Sequence, residues 1–271
     1  MGLIVCEQSE VLHPLYITEL NIHVYSLEEL LYVIYENPIL ARESLISQPL
    51  FEFLDLELGL LQLSSYLQKM KKEQASNDEI LLTLLDCTRM YSAVELNHYR
   101  KKLEAYRKLH RAEYLFEMAN TLFEQKRYQR AADTYQKVLN FPKDTVVTDE
   151  FLASVHANLG SVYANLFLFL DAYKEYAIAY NQIKDRQCLK EMYHIMLIAP
   201  DLSFDEQYFQ DLDEQSKKEW DAEFRDSLEQ ATSLPILKEI SQWFSHDHTD
   251  DTDKKVESII QTWKQEYRNM M

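Results

Sequence analysis

Apolar residues in the middle of the chain recur every three to four positions, the interval that keeps side chains on one helical face. Leu115, Met118, Ala119 and Leu122 form one such stripe, and Tyr128, Ala131, Tyr135 and Val138 form a second, with Pro142 just beyond. The order then returns as His156, Leu159, Gly160 and Tyr163, followed by Phe169, Ala172, Tyr176 and Ala179. This pattern predicts four helices in two hairpins. In each, a small residue on the first helix (Ala119, Gly160) meets a small residue on the second (Ala131, Ala172), so the backbones can approach to the ~8 to 10 Å of close helix packing. Leu159 follows Met118 by 41 positions. Pro142 stops one helix and Thr148 caps the next, which places a lengthened loop at residues 141–150.

The flanks read as helical too. Ser26 with Glu29 forms a capping box ahead of Leu30, Val33 and Ile34, and Pro38 closes or restarts that helix. Short helices are predicted over 40–45, 50–58 and 60–72. Asn77 is placed to cap a helix over 78–91, and Ser92 with Glu95 makes a second box before Leu96, Tyr99, Leu103 and Tyr106. Beyond the hairpins, Leu189, Met192, Tyr193 and Met196 mark a helix over 186–198 that Pro200 ends. An acidic segment over 205–230 keeps Phe209, Trp220 and Phe224 at helical intervals, Pro235 opens a helix, and Val256, Ile259, Ile260, Trp263 and Tyr267 form the apolar face of a terminal one. The strand-like signal lies at the start. Leu20, Ile22 and Val24 alternate with polar residues and Leu3 to Val5 is apolar, consistent with a small β-hairpin or with extended chain.

Composition narrows the fold class. Three glycines and six prolines in 271 residues are too few for the turns of a many-stranded sheet, so the chain is expected to be all-α apart from that hairpin. Charge narrows the partners. Residues 1–66 carry ten acids against one base (Arg42), residues 67–145 fifteen bases against eleven acids, and residues 146–271 twelve bases against twenty-four acids. Acidic ends repel phosphate backbones, and the lone Arg42 cannot position a DNA-reading helix in the first segment, so no nucleic-acid partner is expected. Arg100, Lys101, Lys102, Arg107, Lys108 and Arg111 form a basic stripe, either a solvated or internally neutralised helix face or a dock for an acidic segment.

Chemistry is scarce. Cys6, Cys87 and Cys188 are odd in number and far apart, with Cys87 and Cys188 in apolar helical surroundings, and read as buried free thiols of a reducing compartment. His246, Asp247, His248, Asp250, Asp251 and Asp253 gather metal-ligating residue types, but in the spacing of neither a calcium loop nor a helical zinc site, and read as an acidic linker. Glycines at 2, 59 and 160 build no phosphate loop, and no nucleophile elbow occurs. The chain is therefore expected to be non-catalytic, without cofactor or metal. No apolar run approaches a membrane span and no basic leader opens the sequence, so a cytoplasmic location without membrane partner is expected.

The two aligned copies, over 112–142 and 153–182, resemble the tetratricopeptide repeat (TPR) pattern, in which a large residue, Leu-Gly or a small substitute, and Tyr on the first helix face Ala and Tyr or Phe on the second. The 41-residue offset departs from the usual ~34, an excess the loop absorbs. The resemblance covers about a quarter of the chain. It implies a TPR-like superhelix, a right-handed solenoid of antiparallel helix pairs, across residues 77–200, with an N-terminal helical region (1–76) and acidic capping helices (201–271). It also implies a concave groove lined by Glu113, Phe116, Asn120, Phe123 and Glu124 of the first copy and by Ser154, Ala157, Asn158, Ser161, Ala164 and Asn165 of the second. Asn120 and Asn158 match asparagines of the family's carboxylate clamp, but Phe116 stands at the clamp's lysine position, which with Phe123 points to an apolar anchor. The same residues would equally lie under the chain's own flanking helices. The implied function is an adaptor or scaffold that binds a protein partner through this groove. A regulator that senses a small peptide is the alternative, and an enzyme comes third.

Overall fold

The computed structural model describes residues 11–201, 205–210, 212–244 and 250–270. They are predominantly helical with one two-stranded sheet. The chain divides into two compact units, Met1–Gln125 and Lys126–Met271.

In the first unit, β1 (Leu15–Ile17) pairs antiparallel with β2 (Ile22–Val24), with Leu15 opposite Val24. The expected alternation is present in β2, but Leu20 belongs to the turn and the strand's partner is Leu15–Ile17; Leu3 to Val5 lies outside the described residues. Helix α1 (Leu27–Glu36) starts at Ser26, whose hydroxyl accepts from the Glu29 amide at 3.1 Å. Only half of the predicted box forms, because the Glu29 carboxylate reaches one residue further back, to the Tyr25 amide at 2.7 Å. Pro38 opens α2 (Pro38–Leu40), which widens into a π-helical turn at Ala41–Leu45; α3 (Gln48–Glu52) does the same at Phe53–Glu57.

Four longer helices complete the unit: α4 (Leu61–Lys72), α5 (Asn77–Asp86), α6 (Ala93–Lys108) and α7 (Arg111–Glu124). The Ser92–Glu95 box caps α6 as read. For α5 the cap is Ser76, boxed with Glu79; Asn77 is its first residue, with its amide donating to the Arg42 carbonyl, and the helix stops at Asp86, short of Tyr91. Cys87 therefore sits at a helix end and is exposed, correcting its expected burial.

The core of this unit is aliphatic, with Leu30, Leu31, Ile34, Leu50, Leu54, Leu67, Ile80, Leu81 and Leu84 out of contact with solvent. Tyr35 stacks on Tyr91 at 4.3 Å and on Tyr99 at 5.8 Å. The Tyr99 hydroxyl is buried with no hydrogen-bond partner, and burial pushes its ionisation far above the ordinary tyrosine range. Removing an unsatisfied buried hydroxyl while keeping its ring relieves a desolvation cost of about 1 kcal/mol or more. Tyr99→Phe is thus expected to hold or raise the midpoint of urea unfolding; a fall equivalent to ~1 kcal/mol would reveal a bond the hydroxyl makes.

One polar cluster joins the helices. Asp78, 4% exposed, accepts from Arg42 at 2.7 Å and from Arg107 at 2.7 and 3.2 Å. Arg111 pairs with Glu43 at 2.8 Å and holds that carboxyl below the ordinary range. The guanidinium carbons of Arg42 and Arg111 lie 5.2 and 5.1 Å from the ring centre of Tyr114.

The second unit contains α8 (Tyr128–Leu139), α9 (Asp149–Asn165), α10 (Phe169–Ile183), α11 (Arg186–Ile198), a 3-10 turn (Glu206–Phe209), α12 (Glu214–Thr232), α13 (Pro235–Phe244) and α14 (Asp250–Met270). Between α8 and α9 the lengthened loop is tied down, since the Asp144 carboxylate accepts from the amides of Val146 and Val147 at 2.7 Å and Val147 is fully buried. Thr148 caps α9 as predicted, accepting from the Phe151 amide at 3.2 Å. Helix α9 packs along α10, and α10 in turn along α11.

The α9–α10 crossing is as close as the small residues allow. A Cβ on Gly160 would lie 3.0 Å from the Tyr176 ring, and Ala153, Ala172 and Ala179 are fully buried around it. His156 Nδ1 and Glu175 Oε2, 2.6 Å apart, bridge the same two helices. Cys188 on α11 is buried as expected, which pushes its thiol up to about 12. On α14, Ile260, Trp263 and Tyr267 are 39%, 46% and 41% exposed, so that face is not core.

Candidate functional site

The residues expected to line a groove fall in both units. Glu113, Phe116, Asn120, Phe123 and Glu124 lie on α7 in the first, and Ala157, Asn158, Ser161 and Asn165 lie on α9 in the second, together with Ser154 and Ala164. On α7, Phe116, Asn120 and Phe123 are half-buried and Glu124 is exposed. Glu113 is taken up locally: its carboxylate accepts from the His110 amide at 3.0 Å in a capping box that starts the helix. On α9, the Ser161 hydroxyl shares a 2.9 Å hydrogen bond with the Tyr176 hydroxyl, and the Asn165 amide donates to the Ser161 carbonyl at 2.8 Å. Ala157 and Asn158 are half-buried on the same helix.

The basic stripe is partly neutralised within the chain. Arg107 and Arg111 are committed to Asp78 and Glu43, so internal neutralisation accounts for two of its six cations. Arg100, Lys101, Lys102 and Lys108 remain exposed on α6.

A cleft of about 370 Å³ opens beside α9, between its C-terminal end and α11. Ala164 and Asn165, both from the expected groove, line it. Of the remaining walls, Phe169 and Tyr176 belong to the predicted stripe of the second hairpin, whereas the hydrophobic pattern did not single out Phe167, Glu191, His194, Ile195 or Ile198. Phe167 comes from the α9–α10 turn and Phe169 from the start of α10, their rings edge-to-face at 6.2 Å, and from α11 come Glu191, His194, Ile195 and Ile198. Helix α9 ends there in a Schellman motif, with Phe167 N–H bonded to the Ala164 carbonyl at 3.1 Å and Leu168 N–H to the Tyr163 carbonyl at 2.9 Å. Phe167 occupies the left-handed position of that motif at φ 61°, where glycine is the usual residue and a side chain costs about 1 kcal/mol. That strain holds an aromatic ring 68% exposed at the cleft's edge, next to Ile198 at 49%.

His194 has a buried Nε2 without a hydrogen-bond partner, and its ring lies 6.2 Å from Phe224 of α12. The Glu191 carboxylate accepts from the side chain of Gln187, and the neighbouring Lys190 is paired with Glu223 of α12. The sequence did hold a signal for this place: Leu166 to Leu170 are five consecutive apolar residues running through the α9–α10 turn into α10, and turns are ordinarily exposed.

Among the described residues no group of three or more His, Cys, Asp and Glu side chains is arranged to hold a metal ion. His246, Asp247 and His248 lie outside them. No described helix is long and apolar enough to cross a membrane. Compared with family models, with curated proteins and with solved structures, the chain gives no match in any of the three.

Proposed function

We propose that the chain is a non-catalytic, cytoplasmic adaptor that binds a partner protein through the α9–α11 face of a TPR-like stack of helix pairs. The observation that carries this reading is the interlocked α9–α10 pair, closed through Gly160 against Tyr176, with α11 packed along α10 and an apolar cleft open between the C-terminal end of α9 and α11. In a solenoid of such pairs, each contacts its neighbours and one face stays available along the whole stack. Sensing of a small peptide is the second reading, favoured by one feature, a cleft with the dimensions of a few side chains.

Affinity capture from the source organism, with wild type and Ile198→Asp as parallel baits, tests this. A protein recovered with wild type and lost with the variant is the expected result. Equal recovery with both baits, or none above background with either, would count against the α9–α11 face.

A further inference from the structure

We infer that the α9–α11 cleft takes a peptide segment carrying a bulky apolar side chain beside a cationic one. This rests on the partner-binding reading above and narrows its ligand. The apolar half of the requirement comes from Phe167 and Ile198, 68% and 49% exposed, with half-buried Phe169 beside them and buried Ile195 forming the wall behind. Water released from these surfaces is the main driving force open to a ligand there, and a volume of about 370 Å³ is within the ~300 to 1,000 Å³ range of clefts that enclose small ligands.

The cationic half comes from charge. Glu191 is the carboxylate of the lining, and no Lys or Arg shares the lining with it. The nearest basic residue along the helix, Lys190, is already paired with Glu223. An anionic side chain entering beside Glu191 meets like charge in an apolar setting, whereas Lys or Arg gains a partner. The field of the whole unit acts in the same direction, since residues 126–271 hold seventeen bases against twenty-six acids, a net −9.

Fluorescence anisotropy on the full chain tests this with three labelled peptide sets: Leu or Phe beside Lys or Arg, the same apolar residues beside Asp or Glu, and Ser beside Lys or Arg. Only the first set is expected to bind. Glu191→Gln is expected to weaken that binding about threefold, and Glu191→Lys about tenfold, the scale of a partly exposed ion pair and its reversal. Phe167→Gly supplies the folding control. It removes a cleft wall while relieving the left-handed position, so binding should fall about tenfold or more with an unfolding midpoint that holds or rises. Equal binding by the acidic set, or an affinity unmoved by Glu191→Lys, would overturn the cationic assignment and leave the cleft standing as the docking face. Binding unmoved by Phe167→Gly would remove the cleft itself. No binding by any set would overturn the ligand assignment, while capture with the Ile198→Asp bait still decides the partner reading.

Discussion

Gly160→Leu is expected to cost the second unit about 3 kcal/mol or more, the upper end of what overpacking a tight core does. A single Cβ at this position already meets Tyr176 Cδ1 and Cε1 at 3.0 Å, and the ring cannot swing away freely because its hydroxyl is bonded to Ser161 on the facing helix. Gly160→Ala sets two effects against each other. Alanine gains about 1 kcal/mol of helix propensity over glycine, while the ring must shift by a few tenths of an ångström, so a net change within about 1 kcal/mol of zero is expected. Urea unfolding followed by circular dichroism measures both. A leucine variant as stable as wild type would mean that α9 and α10 are not held at their closest approach here.

Asp78→Ala comes next in size, at about 2 to 4 kcal/mol, because removing one member of a buried ion pair strands the charges it satisfied. The two arginines are not stranded equally. Arg42 is 24% exposed at its side chain and also stacks near Tyr114, whereas Arg107 is 58% exposed and rehydrates easily. Arg107→Ala is therefore expected to cost under about 1 kcal/mol, in the range of surface ion pairs. The same unfolding series ranks the variants, and Arg107→Ala matching Asp78→Ala would move the weight of the cluster from Arg42 to Arg107.

Local features were legible in the sequence because they are written within a turn or two of chain. Ser92 and Glu95, Thr148 ahead of α9, and the stripes of α9 and α10 all act over three to four residues, the range in which helix physics is nearly one-dimensional. Ambiguity entered where two residues competed for one role. Ser76 and Asn77 both suit a cap, and Ser76 takes it because Glu79 stands at the box position three residues on. The hairpin is similar, since alternation marks β2 without saying which segment pairs with it.

What stayed out of reach depends on distance along the chain. Asp78 meets Arg42 across 36 residues and Arg107 across 29, and no periodicity links them. The cleft needs Asn165, Phe167 and Ile198 together, which depends on how α9 ends and how α11 returns. Phe167 reads as a core residue by type and becomes a rim residue only because the Schellman turn puts it at a left-handed φ. Cys87 is a second such case, exposed despite its apolar neighbours because α5 stops one residue before it.

Hydrogen–deuterium exchange on the full chain, alone and with the partner recovered by the wild-type bait, reads the docking face without any substitution. Slowed exchange concentrated in residues 154–165 and 187–198, on α9 and α11, is expected. Protection confined to α4, α5 and α6, with α9 and α11 unchanged, would place the partner elsewhere and contradict the proposed face.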